Sequence, residues 1–236
     1  MISIMYKFFI CFLVLIIPEI RGQSLDDVNI LINKDSTSVT VKYSGQTLSI
    51  DGLSSPKILG AELNNDDKSE LIVTSKNKQS GLTTFSAYIL NLYDSLYVID
   101  SVKSGVLEPF MTYSDEISSN LLIIGYPELD SLNLANGTSY SPLNVLMYDG
   151  SKLYSANDEV YNIFIVETEE LTGILDSKPI ITDCQFSREH SSLIASIYIN
   201  YVNAGELSLA TMFLKNYYLC TDYIVFKDYL RNLLGL

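Results

Sequence analysis

Short runs of β-branched and aromatic residues, broken by turn signals, recur along most of the chain. SVTVKYSGQTLSIDG (38–52) alternates apolar and polar positions around a Ser-Gly corner, and MYDGSKLYS (147–155) does the same around Asp-Gly. Both patterns spell strand, tight turn, strand. TTFSAYILNLYDSLYVIDSV (83–102), NLLIIGY (120–126) and SLIASIYINYV (192–202) are denser in apolar residues and read as further strands. Helical 3–4 spacing emerges only near the end, at Phe226, Leu230, Leu233 and Leu234, where it predicts a short terminal helix. The pattern predicts a mainly β protein.

Three segments repeat one order of features: a Pro, an apolar strand, a polar loop, an apolar strand, then a hairpin-like pair. They run from Pro56 to Val102, from Pro109 to Val160 and from Pro179 to Phe226, with the prolines 53 and 70 residues apart. Residues 28–52 supply the last strands of a preceding unit. Units of about 50 residues with four strands each have the size of propeller blades. The expected fold is therefore all-β, a propeller-like array of four-stranded blades, with a β-sandwich or barrel as the alternative. A partial ring completed by another chain fits the same count.

The first repeat contains the most acidic loop of the chain, ELNNDDKSEL (62–71), followed directly by an apolar strand. ILGAELNNDDKSELIVTS resembles the FG-GAP or VCBS repeat of integrin-like propellers, whose loop has the form D-x-[DN]-x-D-G-x-x-[DE]. That resemblance implies calcium held by oxygen ligands. Glu62, Asn64, Asp66 and Glu70 fall on its first, third, fifth and ninth positions, and the Lys68 carbonyl falls on the seventh. Glu62 replaces the usual Asp, and Asp67 replaces the Gly of the sharp turn. The equivalent loops of the other two segments lack the pattern, and Arg188 stands where Asp66 would fall.

Lys7, the apolar run Phe8–Ile17, Pro18 and Gly22 describe a secretory signal peptide over residues 1–22. Ten apolar residues rise about 15 Å as a helix, short of the roughly 30 Å bilayer core. No later apolar stretch is long enough to span a membrane. The expected mature domain is 23–236, secreted or periplasmic. Its leader carries Lys7, Arg21 and Glu19, so cleavage takes the net charge from −13 to −14. That acidity argues against nucleic acid and anionic lipid as partners. Cys184 and Cys220 remain, either as a disulfide or as two buried thiols.

Catalytic motifs are missing: there is no G-x-S-x-G, no P-loop and no G-x-G-x-x-G. His190 is the lone histidine, in the polar stretch SREHSS. Glu167, Glu169 and Glu170 could supply the paired carboxylates of a glycoside hydrolase, but they equally describe a solvated acidic edge. NGT (136–138) matches a glycosylation sequon. The expected function is a non-catalytic binding or structural module, calcium-stabilised if the loop holds its ion, that contacts a protein or glycan. An exported carboxylate-dependent hydrolase and a small-ligand-binding sandwich or barrel are the alternatives.

Overall fold

The computed structural model describes residues 28–64, 70–79, 81–93, 95–178 and 183–236. The signal-peptide reading of residues 1–22 lies outside them. The described chain opens with a three-stranded meander, β1 (Asn29–Ile32), β2 (Ser38–Tyr43) and β3 (Gln46–Asp51). A four-stranded meander follows: β4 (Lys57–Ala61), β5 (Glu70–Gln79), β6 (Leu82–Asn91) and β7 (Tyr97–Gly105). A third sheet contains β8 (Phe110–Ser114), β9 (Ser119–Ile124), β10 (Asn144–Tyr148) and β11 (Leu153–Ser155), all antiparallel. Helix α1 (Asp130–Asn136) interrupts that sheet between β9 and β10. Helices α2 (Asn162–Asp176), α3 (Cys184–Glu189), α4 (Ser191–Asn203), α5 (Leu207–Tyr217) and α6 (Tyr223–Leu233) complete the chain.

The sheets stack in chain order, and the stacking explains the two kinds of strand pattern. In the first sheet Val39, Val41 and Ile50 face the second sheet, against Leu71, Val73 and Leu90. Its other side is solvated, so β2 alternates apolar and polar residues. The second sheet is covered on both faces. Leu71 and Val73 point toward the first sheet, while Ile72, Ala87 and Ile89 meet Leu122, Ile124 and Leu146 of the third. A strand buried on both faces has no polar side, hence the unbroken LIV of β5. Likewise Leu122 and Ile124 of β9 face the second sheet, and Leu121 and Ile123 pack on Phe164 of α2. Each such side chain contributes roughly 1.5–3 kcal/mol on burial.

The hairpin expected at YSGQ is β2–β3. Its two-residue turn places Ser44 at φ 49° and Gly45 at φ 78°, the left-handed pair that matches strand twist. Pro56 and Pro109 each stand one residue before the first strand of a four-stranded sheet. The first two segments of the repeat are thus four-stranded meanders, apart from α1.

The third segment is not. SLIASIYINYV lies in the helix α4 rather than in a strand, and LSLATMFLKNYYLCTDYIVF forms α5 and the first turn of α6. Among the described residues none of the three sheets closes, and six helices stand beside them. The all-β propeller expectation is therefore corrected: the protein is mixed, with stacked antiparallel sheets backed by a helical layer. α4 misleads because it is central. Every residue from Ser191 to Asn200 is buried, so no solvent-facing side marks a 3.6-residue period, and the narrow polar stripe of Ser192, Ser196 and Asn200 lies within an apolar run. The expected terminal helix is present as α6, with Phe226 and Leu230 buried.

The helical layer has its own core, centred on Leu193, Ile197 and Tyr198 of α4 with Leu171, Leu175, Phe213 and Leu214 around them. A disulfide joins Cys184, the first residue of α3, to Cys220 in the turn between α5 and α6. Side chains of α4 also take the place of a neighbouring strand beside β10. Asn200 Oδ1 accepts from Leu143 N at 2.9 Å, and Asn203 Nδ2 donates to Leu143 O at 2.9 Å. This satisfies an otherwise unpaired backbone edge where sheet meets helix.

Candidate functional site

The acidic loop joins β4 to β5, and three of the five expected metal ligands lie in described residues. Glu70, 2% exposed, opens β5 directly opposite Ala61. Its Oε2 accepts from Leu63 N at 2.8 Å. Leu63 is itself buried between the second and third sheets. Glu62 gives its backbone carbonyl to Asn120 Nδ2 of β9, at 2.7 Å. Asn64 Oδ1 is shielded from solvent and, among the described residues, accepts no hydrogen bond. Asp66 and Lys68 lie outside the described residues. The loop's two ends are thus fastened to the sheets, with one of the Glu70 oxygens committed to the backbone. A charge-assisted bond of this kind contributes about 1.5–3 kcal/mol. Among the described residues no group of three or more His, Cys, Asp and Glu is placed to hold a metal ion.

A cleft of about 400 Å³ opens where the second sheet, the third sheet and α6 converge. Val102, Ile124, Leu146 and Leu233 form apolar walls, and Lys103 and Glu128 supply its charged side chains. Gly125 lines it because nothing larger fits. A Cβ there would lie 2.5 Å from both Ser104 O and Ser141 Oγ. Tyr126 is held by Asn157 Nδ2 at 3.3 Å and Asn203 Nδ2 at 3.2 Å, which both donate to its hydroxyl. Burial pushes that hydroxyl's pKa up. Asp130 at the start of α1 is likewise raised, first by burial and less by Glu128, against a hydrogen bond from the Val106 backbone. Glu128 is the one carboxylate lining the cleft, whereas glycoside hydrolysis uses two.

Glu167, Glu169 and Glu170 lie on α2, away from the cleft lining. Glu169 and Glu170 are exposed, and Glu167 is raised by burial and then by Glu170. His190 links α3 to α4, its ring edge-on to Phe186 at 4.5 Å. Asn136 of the sequon tethers α4. In the amide orientation that satisfies both of its ends, Oδ1 accepts from Ser192 N at 3.2 Å and Nδ2 donates to Arg188 O at 3.0 Å. The sequon's Thr138 Oγ1 shares a 2.7 Å bond with Ser192 Oγ.

The broadest feature of the surface is one that strand reasoning concealed. Eighteen large apolar residues are exposed among those described, and eight of them fall in the 30 residues 207–236. On α5 Leu207, Leu209 and Met212 are exposed, with the polar Asn216 one turn further on, and Leu219 is exposed just beyond the helix end. Ile224 and Val225, 62% and 70% exposed, continue the stripe into α6. The inner faces of the same helices hold Ala210, Phe213, Leu214, Phe226 and Leu230 in the core. α5 thus carries exposed apolar side chains opposite its buried face, and α6 does so in its first turn, before Asp228, Arg231 and Asn232 take over its outer side. The pair Leu209 and Met212, three residues apart, was the available signal.

No protein-family model, curated protein or solved structure matches the chain.

Proposed function

We propose that the chain is an exported, non-catalytic binding module that docks a protein partner through the α5–α6 surface. The observation that carries this reading is the concentration of exposed apolar residues in 207–236, since contiguous apolar surface marks interaction sites. Solvent exposure of Met212 tests it by oxidative footprinting. Met212 of the dilute purified chain should oxidise readily, and in the protein's native surroundings it should be protected several-fold. Tyr113 on β8, exposed to a similar degree, serves as the unprotected reference. Equal oxidation of Met212 in both settings overturns the reading.

Calcium at the β4–β5 loop is a second, narrower proposal, favoured by the acidic loop pattern at Glu62, Asn64, Asp66 and Glu70 and by the solvent-shielded Asn64 Oδ1, which has no hydrogen-bond partner among the described residues. Glu62, Asn64, Asp66 and Glu70 with the Lys68 carbonyl would hold the ion, and its effect would be to stabilise the loop. Binding to the native state alone raises the melting midpoint by mass action. A midpoint unmoved by millimolar calcium, or an equal rise in Asp66→Ala, removes the site.

A further inference from the structure

We infer that Asn136 and Gly137 form a self-modifying latch: closed, it joins α1 to α4, and opened, it cyclises, loses ammonia and no longer closes. Gly follows Asn only here in the chain. With no side chain on residue 137, its backbone nitrogen can approach the preceding side chain unhindered. In the closed latch that side chain is engaged with the α3–α4 junction. Asn136 Oδ1 accepts from Ser191 Oγ at 2.9 Å and Ser192 N at 3.2 Å, and Nδ2 donates to Arg188 O at 3.0 Å. One amide thus ties the end of α3 to the start of α4, where His190 supplies no side-chain cap of its own. Thr138 Oγ1 donates to Asn133 Oδ1 at 3.1 Å and shares a 2.7 Å bond with Ser192 Oγ. The nitrogen that a sequon offers for glycosylation is therefore in use within the fold.

The closed latch withholds both reacting groups. Gly137 N is given to the α1 carbonyls of Asn133 and Leu134, and the Asn136 side chain is held against α4. A helix of 7 residues has little stability of its own, so losing α4 releases both groups together. Gly137 N then bonds to Asn136 Cγ, the Cγ–Nδ2 bond breaks, and ammonia leaves with the proton from Gly137 N. Water opens the resulting succinimide at either carbonyl. Attack at Cγ gives aspartate, and attack at the main-chain carbonyl gives isoaspartate, which adds a methylene to the backbone. Neither product can donate to Arg188 O. Isoaspartate also shifts Thr138 relative to Ser192. The latch therefore opens reversibly but reacts only once.

Peptide mass mapping of the purified full chain, aged at neutral pH, follows the conversion of Asn136. It should run at least tenfold slower in buffer than in urea that unfolds the chain. Thr138→Val and Ser191→Ala each remove one hydroxyl from the latch and keep the Asn-Gly pair, so either can carry the test. Each should raise the rate in buffer several-fold and leave the rate in urea unchanged. Thr40→Ala, which loses a hydroxyl bond to Ser49 in the first sheet, should leave both rates in place. Chain modified in urea, separated by its added charge and returned to buffer, should melt several degrees below the parent. Equal rates in buffer and urea overturn the inference, as do latch variants that react no faster than the parent. An equal rise in Thr40→Ala traces the reaction to unfolding of the whole chain and overturns it too. So does a modified chain with an unshifted melting midpoint.

Discussion

β9 and α4 are built from similar material and adopt opposite structures. SNLLII of β9 and SSLIASIYIN of α4 are both buried, largely apolar runs opened by Ser, and neither has a solvent-facing side. β9 lies between two neighbouring strands and is covered on both sides, by the second sheet and by α2. α4 is enclosed by helices, and its backbone groups are satisfied within itself. Burial on all sides erases the periodicity that separates strand from helix, and what remains is length and punctuation. β9 is 6 residues long, whereas α4 runs for 13 and ends at Gly205, φ 78°. There Gly205 N donates to Val202 O at 2.9 Å and Glu206 N to Tyr201 O at 2.8 Å, closing the last turn as helix C-termini commonly do.

The sharpest way to break the comparison is at the contact between the two regions. Phe164 of α2 is fully buried against Leu121 and Ile123 of β9. Phe164→Ala should cost about 3–5 kcal/mol, a fall of roughly 10 °C in melting midpoint for a chain of this size. If sheets and helices are one cooperative unit, far-UV and tyrosine signals will shift together. Two separated transitions would mean that the layers fold independently.

Reducing the disulfide perturbs only the helical side. Cys184 and Cys220 are 36 residues apart, for which loop closure predicts about 4 kcal/mol, with native values commonly 2–5. Urea unfolding with and without reductant should show a midpoint loss of that order. An unchanged midpoint would show that helix packing alone holds the layer.

A finer distinction is set by pH. Burial raises the folded-state pKa of Asp130 and of Glu167. Such a group favours folding most when protonated, below its unfolded pKa, and that contribution is lost as pH rises through the raised folded value. Asp130→Asn keeps an acceptor for Val106 N without the charge. Its stability relative to the parent should therefore be higher at pH 7 than at pH 3, with the difference closing through the acid range. A constant difference across that range would place the effect in packing instead.

These contrasts also explain what the sequence made legible. The hairpin at Ser44-Gly45, the sheets begun after Pro56 and Pro109, and the terminal helix at Phe226 and Leu230 were readable, since each leaves a local mark in turn chemistry or periodicity. α4 left a faint mark in its own composition, Ser192, Ser196 and Asn200 four residues apart within the apolar run. Further marks lay outside the run, in Asp183, whose side chain accepts from Phe186 N at 2.9 Å to cap α3, and in Gly205. The reading of the acidic loop gave Glu62, Asn64 and Glu70 to one loop between two strands, and that loop joins β4 to β5. It did not foresee that Glu70 turns one oxygen inward to the backbone of Leu63. The α5–α6 surface was hidden by the same misreading that turned its helices into strands.

The middle sheet has a further meaning for how the chain is made. Its layers stack in the order in which they are synthesised, so each new sheet is the lid for the apolar face of the one before. A chain free to fold only as far as Gly105 would pair β4 to β7 and leave Ile72, Ala87 and Ile89 without the cover that β9 and β10 supply. Shielding that face in the interval falls to whatever meets the growing chain, and a product truncated near residue 105 would be sticky rather than merely incomplete.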